Sequence, residues 1–356
     1  MDRSDPLFQP LQLGALTLPN RIVMAPMTRS RAGAGDVPTE LHVEHYRARA
    51  GAGLIVTEGT QPSADGKGYC RTPGLHSPEQ IAAWARVTAA VHAAGGRIVA
   101  QLMHVGRIAS HHNKDAGAST VAPSAVRASG RIHTDAAGMV DFDTPRALDA
   151  GEIVQVITEY AQAARNAIAA GFDGVELHGT SGYLPMQFLA VNSNQRTDGW
   201  GGSAARRRRF VVETMEAIAG AIGADRVGLR IRPASPFNDI VDADPVETYT
   251  GLLDAIAPLR LAYLHVMLAA VPELDAFALA RRHFSGPLIV NDGFDGASAR
   301  RAISGGTGEA VSFARHFIAN PDLARRLRDG APLAGFDRTT LYTAGAKGYN
   351  DYPGLA

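Results

Sequence analysis

One cysteine, Cys70, stands among 356 residues. Its isolation excludes a disulfide framework, a four-cysteine zinc site and a cysteine-ligated iron–sulfur cluster within the chain, so redox chemistry here would need a bound organic cofactor. An excess of one charge is lacking as well: Lys plus Arg and Asp plus Glu each number 35. That balance creates no overall field to attract nucleic acid or an anionic membrane, and a small molecule is the expected partner. Apolar runs of the ~18 residues that span a bilayer do not occur, and the opening stretch MDRSDPLFQPLQLG has no basic start followed by an apolar segment. A cytoplasmic protein without a membrane span is expected. No internal repeat, linker or low-complexity tract divides the chain, so residues 1–356 are expected to form one domain, at a length α/β barrels reach.

What the chain does contain is a recurring unit: a short β-rich apolar run, then a polar or glycine-rich stretch, then a segment of helical periodicity. The eight runs are Ile22 to Ala25, Gly53 to Thr57, Arg97 to Gln101, Gly174 to His178, Val227 to Ile231, Ala262 to Val266, Pro287 to Asn291 and Ala310 to Phe313. Helices are expected over Ile153 to Ala170 and Phe210 to Ile222, where apolar residues recur three and four apart and glycine follows. This alternation predicts a (β/α)8 TIM barrel. An open, doubly wound sheet is the competing architecture, but NRIVMAPMTRSRA follows the first run where a glycine-rich dinucleotide fingerprint would stand. Leu11 to Leu18 reads as an N-terminal β-hairpin turning at Gly14 and capping the barrel, and Ser110 to Pro145 as a long insertion after strand three.

In such a barrel the chemistry gathers at the C-terminal ends of the strands. Those ends carry Thr28, Gln101, His178, Arg230, Asn291 and Arg315, polar groups that cost about 1–3 kcal/mol each if buried without partners. VELHGTSGYLPMQF sets His178, Ser181 and Tyr183 in one strand-to-loop turn. Histidine and serine can donate to a substrate oxygen, and an unperturbed tyrosine stays protonated at neutral pH as a general acid. The same spacing also suits a satisfied structural histidine and a packing tyrosine. A Ser–His hydrolase is disfavoured because no G-x-S-x-G elbow surrounds Ser181. Beyond strands seven and eight, Gly293, Ala314 and Arg315 occupy the usual phosphate position, a feature equally compatible with a turn glycine and a surface arginine. Arg230 lies inside a strand and needs an anionic or carbonyl-rich partner.

Ordered blocks along nearly the whole chain carry a resemblance. They include PLQLGALTLPNRIVMAPMTRSRA, GLIVTEGT, QLMHVGR, AGFDGVELHGTSGYLPMQF, NQRTDGWGGS, VGLRIRP, IVNDGFDG, FARHFIANPDLARRL and GYNDYP. On these blocks the chain resembles the old yellow enzyme family of FMN-dependent ene-reductases. The resemblance implies tightly bound FMN, NADPH or NADH as reductant, and hydride transfer to the activated C=C bond of an α,β-unsaturated carbonyl or quinone-like acceptor. It implies that Ala25, Pro26, Met27 and Thr28 flank the flavin ring and that Gly59 and Gln101 meet its main-chain and pyrimidine contacts. Arg230 would sit at N1 and O2, and Gly293, Ala314 and Arg315 at the phosphate. His178 with Ser181 would hold the substrate oxygen, Tyr183 would protonate the alpha carbon, and Tyr69, Met103 and Tyr342 would line the pocket. A homo-oligomer is compatible with this reading, and no metal site is expected.

The sequence departs from the family pattern at several of these positions. Ser181 stands where Asn or a second His is usual, Met103 where Trp is common, and Ala314 where Gly precedes the phosphate arginine. The first two motivate an alternative, a flavin enzyme of a specialised biosynthetic step such as desaturation, isomerisation or reduction of a larger substrate; a non-catalytic flavin-binding protein is a further one. Arg206 to Arg209 read as a solvated helix start, and Cys70 as incidental.

Overall fold

The computed structural model describes residues 5–355; Met1 to Ser4, the start of the stretch read above for a targeting segment, lie outside the described residues. Eight parallel strands close into a barrel in chain order: β1 (Ile22–Met24), β2 (Leu54–Val56), β3 (Ile98–Leu102), β4 (Gly174–Gly179), β5 (Val227–Ile231), β6 (Tyr263–Met267), β7 (Leu288–Asn291) and β8 (Ala310–Phe313). Nearly all their residues are buried, as expected of parallel strands covered by side chains within and helices without. The strand boundaries differ from the sequence expectation by at most a residue at either end, because apolar run and flanking glycine or proline coincide with the ladder's limits.

Among the described residues ten α-helices follow in order: α1 (Glu40–Arg47), α2 (Pro78–Ala93), α3 (Ala150–Ala169), α4 (Leu184–Leu189), α5 (Ala204–Ile222), α6 (Pro245–Ile256), α7 (Ala276–His283), α8 (Gly296–Ser304), α9 (Arg315–Ala319) and α10 (Leu323–Asp329). α3 buries Ile153, Val156, Ile157, Tyr160 and Ala164 on one stripe, begins in an Asp149–Glu152 capping box, and stops before Gly171 at φ 83°. α5 starts at Ala204 rather than Phe210, because the Ser203 side chain accepts from the Arg206 N–H and makes the arginine run its first turns. That run is not wholly solvated: Arg207 is buried, its Nε donating to the Leu189 carbonyl at 2.7 Å, while Arg209 stacks over Trp200. None of the helices among the described residues is long and apolar enough to cross a membrane.

The hairpin Leu11–Leu13/Leu16–Leu18 lies across the N-terminal end of the barrel. Leu13, Leu16 and Leu18 join Val23, Leu54, Val99, Tyr263 and Ile289 in one apolar cluster, each leucine worth about 1.5–3 kcal/mol by burial. Gly14 is obligatory at its turn: φ is 54°, and an added Cβ would lie 2.1 Å from the Asp225 carbonyl oxygen. At the opposite end, the insertion is ordered by a hairpin, Arg131–Thr134 paired with Gly138–Asp141, and by Val121–Ala122 pairing with Arg146–Ala147. Its apolar face, Ile132 and Phe142, packs with Met103, Val105 and Tyr183.

The segment after β1 ties down the chain's end. Arg29 donates to the carbonyls of Leu341 and Gly348, and Arg31 to those of Thr340, Leu341, Gly345 and Lys347. The resulting loop presents Tyr342, which is 60% exposed, beside the insertion.

Candidate active site

A cavity of about 610 Å³ opens at the C-terminal ends of β4 to β8 and extends to β1. Of the residues singled out from sequence, Pro26, His178, Ser181, Arg230, Gly293, Ala314 and Arg315 line it together. Their meeting follows from strand parity: Glu176 and His178 on β4 are two apart and face the same side, and His178 is the register partner of Arg230 on β5.

Arg230 is buried, with Nη2 donating to Asn291 Oδ1 at 2.7 Å and Asn291 Nδ2 donating to the Ser312 carbonyl at 3.0 Å. Below it, the Glu176 carboxylate accepts from Gln101 Nε2 and pairs with His265 Nδ1, both at 2.8 Å, while His265 Nε2 meets the Ser312 hydroxyl at 2.7 Å. Burial works to raise the Glu176 carboxyl, but His265, Arg230 and Gln101 outweigh it and hold the group below its usual value. Burial likewise lowers His265. Arg230 is the cation that balances the Glu176 carboxylate and His265 is neutral, because a second buried cation beside Arg230 would be costly. Burial pulls Arg230 below its usual value, and Glu176 opposes that pull. Gln101, Arg230 and Asn291 were among the strand-end residues picked out from sequence, whereas Glu176, His265 and Ser312 were missed, although alternation along the inward faces of β4 and β6 carried the signal.

His178 is buried, and burial together with Arg230 pushes it down to about 3, so the ring is neutral. The Thr180 N–H points at Nδ1 at 3.4 Å, which assigns the proton to Nε2 and makes that atom a donor. Ser181 takes a left-handed φ of 60°, its carbonyl accepting from Asn238 Nδ2 at 2.8 Å. Tyr183 packs edge-on against His178, ring centroids 4.9 Å apart, and shares a 3.0 Å hydroxyl contact with Tyr69. Burial, then the neighbouring Tyr69, raises Tyr183 well above its usual range, so it holds its proton. Tyr183 lies outside the main cavity's lining, in the adjoining apolar cluster with Met103 and Tyr69.

At the other end, Asp292 and Gly293 take consecutive positive φ values of 86° and 78°, and a Cβ at Gly293 would meet open space. Arg315 opens α9, with exposed side chain, and has no hydrogen-bond or ion-pair partner among the described residues. Arg49 secures the far end of the same helix, donating to the Phe317 and Ile318 carbonyls.

The remaining sequence candidates take other places. Ala25 is buried and donates its N–H to the Phe313 carbonyl, and Met27 and Thr28 are half-buried beside it. Gln101 turns its amide to Glu176 beneath the cavity. Gly59 is held to glycine by Met103, whose Sδ lies 2.4 Å from where a Cβ would stand. Glu58, just beyond β2, is buried against Tyr46 and the Arg29 N–H, and desolvation pushes it up to about 7.

The site fits the flavin that the resemblance implies. Arg230 Nε is buried with no hydrogen-bond partner among the described residues, aimed where an acceptor-rich ring edge would satisfy it. The opposite end of the cavity offers an unpaired guanidinium and a side-chain-free turn to an anion.

Comparison with known proteins bears on the same point. The model of the NADH:flavin oxidoreductase / NADH oxidase family matches residues 6–334. A probable flavin mononucleotide-dependent alkene reductase of Leishmania infantum is 43% identical over 357 aligned residues, covering 98% of this chain and 97% of that one. Among solved structures, morphinone reductase in complex with tetrahydroNAD aligns with a TM-score of 0.94 at 42% identity, over 98% of each chain. The old yellow enzyme homologue from Zymomonas mobilis aligns with a TM-score of 0.95 at 39% identity, over 98% of this chain and 99% of that one.

Proposed function

The chain belongs to the NADH:flavin oxidoreductase / NADH oxidase family, and from that premise we propose how its own residues serve the reaction. It is an FMN-dependent oxidoreductase of the ene-reductase type, and the alternative of a separate specialised chemistry is not favoured. FMN, when bound, would supply the hydride chemistry that links NAD(P)H to the activated C=C bond of a small alkene.

In this reading Arg230 would hold the acceptor-rich edge of the ring and stabilise negative charge there, itself held in place by Asn291 and balanced from below by Glu176. Arg315 with the Gly293 and Ala314 backbone binds the phosphate. Ala25, Pro26, Met27, Thr28, Gly59 and Gln101 frame the ring. His178 donates its Nε2 proton to the substrate oxygen, with Ser181 beside it, which polarises the alkene and stabilises enolate-like charge by a few kcal/mol. Tyr183 delivers the proton to the alpha carbon; Tyr69 positions its hydroxyl at 3.0 Å. Tyr69, Met103 and Tyr342 bound the substrate space. The single observation that carries the reading is the neutral His178, register partner of the buried Arg230, within ring contact of a protonated tyrosine. Residues 1–356 act as one FMN-binding unit. Quinone-like acceptors belong to the same range, since the same donors would hold their oxygens. Residence in the cytoplasm belongs to the same proposal.

Stopped-flow kinetics test the assignment. Tyr183→Phe should slow reoxidation of the reduced enzyme by an enone about 10²-fold or more, while reduction by nicotinamide changes little. Equal losses in both half-reactions would refute the proton-donor role.

A further inference from the structure

The loop after β2 and the hairpin of the insertion meet over the substrate space, and their contact carries three metal-ligating side chains. Along Arg131–Thr134 burial alternates, with Ile132 and Thr134 turned inward. Period-two geometry therefore places His133, and Asp135 just beyond the strand, on the outward face. Cys70 rises to meet them from the loop: its Sγ lies 3.8 Å from His133 Nδ1, and the ligand atoms of Cys70, His133 and Asp135 all fall within 4.8 Å of one another. A tetrahedral zinc ion with bonds of about 2.3 Å to sulfur and 2.0 Å to nitrogen holds those two atoms about 3.5 Å apart, so the pair is already near ligating distance.

We propose that Cys70, His133 and Asp135 bind a zinc-class divalent cation that pins the insertion's hairpin to the loop after β2 at the mouth of the substrate space. The donor set selects the metal: a thiolate and an imidazole suit zinc or cobalt, whereas magnesium and calcium require oxygen ligands throughout. Arg71 donates to Asp135 Oδ2 and thereby orients the carboxylate while leaving Oδ1 for the ion. Its positive charge opposes the cation, but the thiolate and carboxylate together bring two negative charges. Three protein ligands leave a fourth position to water. Tyr69, adjacent to Cys70, touches Tyr183, and Ile132 and Val140 of the hairpin pack in the same cluster. An ion there therefore restrains the walls through which substrate enters, a consequence that rests on the site reading above.

The test uses chelator-treated holoenzyme. Calorimetric titration with Zn²⁺ should give one ion per chain, and Co²⁺ should produce a thiolate-to-metal charge-transfer band. Cys70→Ser and His133→Ala should each weaken Zn²⁺ binding at least about 10-fold, and Cys70→Ser should abolish that band. Both side chains are partly or fully exposed, and unchanged melting temperatures of the metal-free variants show that the fold survives. Zn²⁺ should slow backbone hydrogen exchange over residues 131–141 in the unaltered protein and not in Cys70→Ser. These readouts need no substrate, so they stand or fall separately from the catalytic assignment. Absence of stoichiometric binding, equal affinity in Cys70→Ser, or unmoved exchange over the hairpin would each overturn the proposal.

Discussion

Position 181 offers the sharpest test of the oxygen-binding reading, through Ser181→Asn. The serine sits at φ 60°, a conformation that costs an ordinary L-residue about 1 kcal/mol and asparagine less, so the backbone is already set for the longer side chain. The turn is held independently, because Asn238 Nδ2 binds the residue's carbonyl rather than its side chain. Ser181 lines the cavity beside His178, whose Nε2–H is one donor toward a substrate oxygen. Serine's hydroxyl ends one bond beyond Cβ; an asparagine amide reaches one bond further with two donors. A second hydrogen bond to the same oxygen is worth about 1–1.5 kcal/mol, or roughly 5–10-fold. The variant should bind a simple phenol about 5–10-fold more tightly, reoxidise with cyclohexenone faster by a similar factor, and melt at the same temperature or slightly higher. Ser181→Ala should change these rates less than about 2-fold if the hydroxyl falls short. Phenol titration followed by flavin absorbance, with stopped-flow reoxidation, measures both. Unchanged or weaker binding in Ser181→Asn would refute the claim that reach at this position limits small enones.

Other outcomes follow from the same geometry. Reoxidation by an enone should be flat between about pH 6 and 9, because His178 is pushed down to about 3 and Tyr183 lies well above its usual value; a limb near pH 6.5 would contradict the neutral histidine. Glu58 is raised from 4.5 to about 7, so its contribution to stability is complete below pH 4.5 and is lost as pH rises through 7. The loss amounts to about 3 kcal/mol. Glu58→Gln should therefore gain on the unaltered protein in urea denaturation at pH 8 relative to pH 4.5, and parallel pH curves would refute this. Arg315→Ala should weaken FMN about 10–100-fold and leave riboflavin nearly unaffected, as read by fluorescence titration of apoprotein; an equal loss for both flavins would remove Arg315 from the phosphate.

Strand identity was readable from the chain because each barrel strand is covered on both faces, which forces a continuous apolar run bounded by breakers. The hairpin was readable from Gly14, although the need for glycine there comes from Asp225, distant in sequence and in backbone contact. Position at strand ends, sharpened by the family resemblance, brought His178, Arg230 and Arg315 into view together. Other features depended on three-dimensional contact alone. Gln101 turns to Glu176 because the inward faces of β3, β4 and β6 converge, and no local pattern encodes which partners a closed barrel will supply. Arg207 is buried although its neighbours suggested solvent, because α4 ends with a carbonyl beside it. Glu58 owes its raised pKa to burial beneath the segment after β1, a pull that Arg29 and Tyr46 only partly offset, and Cys70 acquires two neighbours with ligating atoms only when the insertion folds back over the loop after β2. Periodicity along a chain dictates which face a residue shows; what waits opposite that face is decided by closure of the barrel.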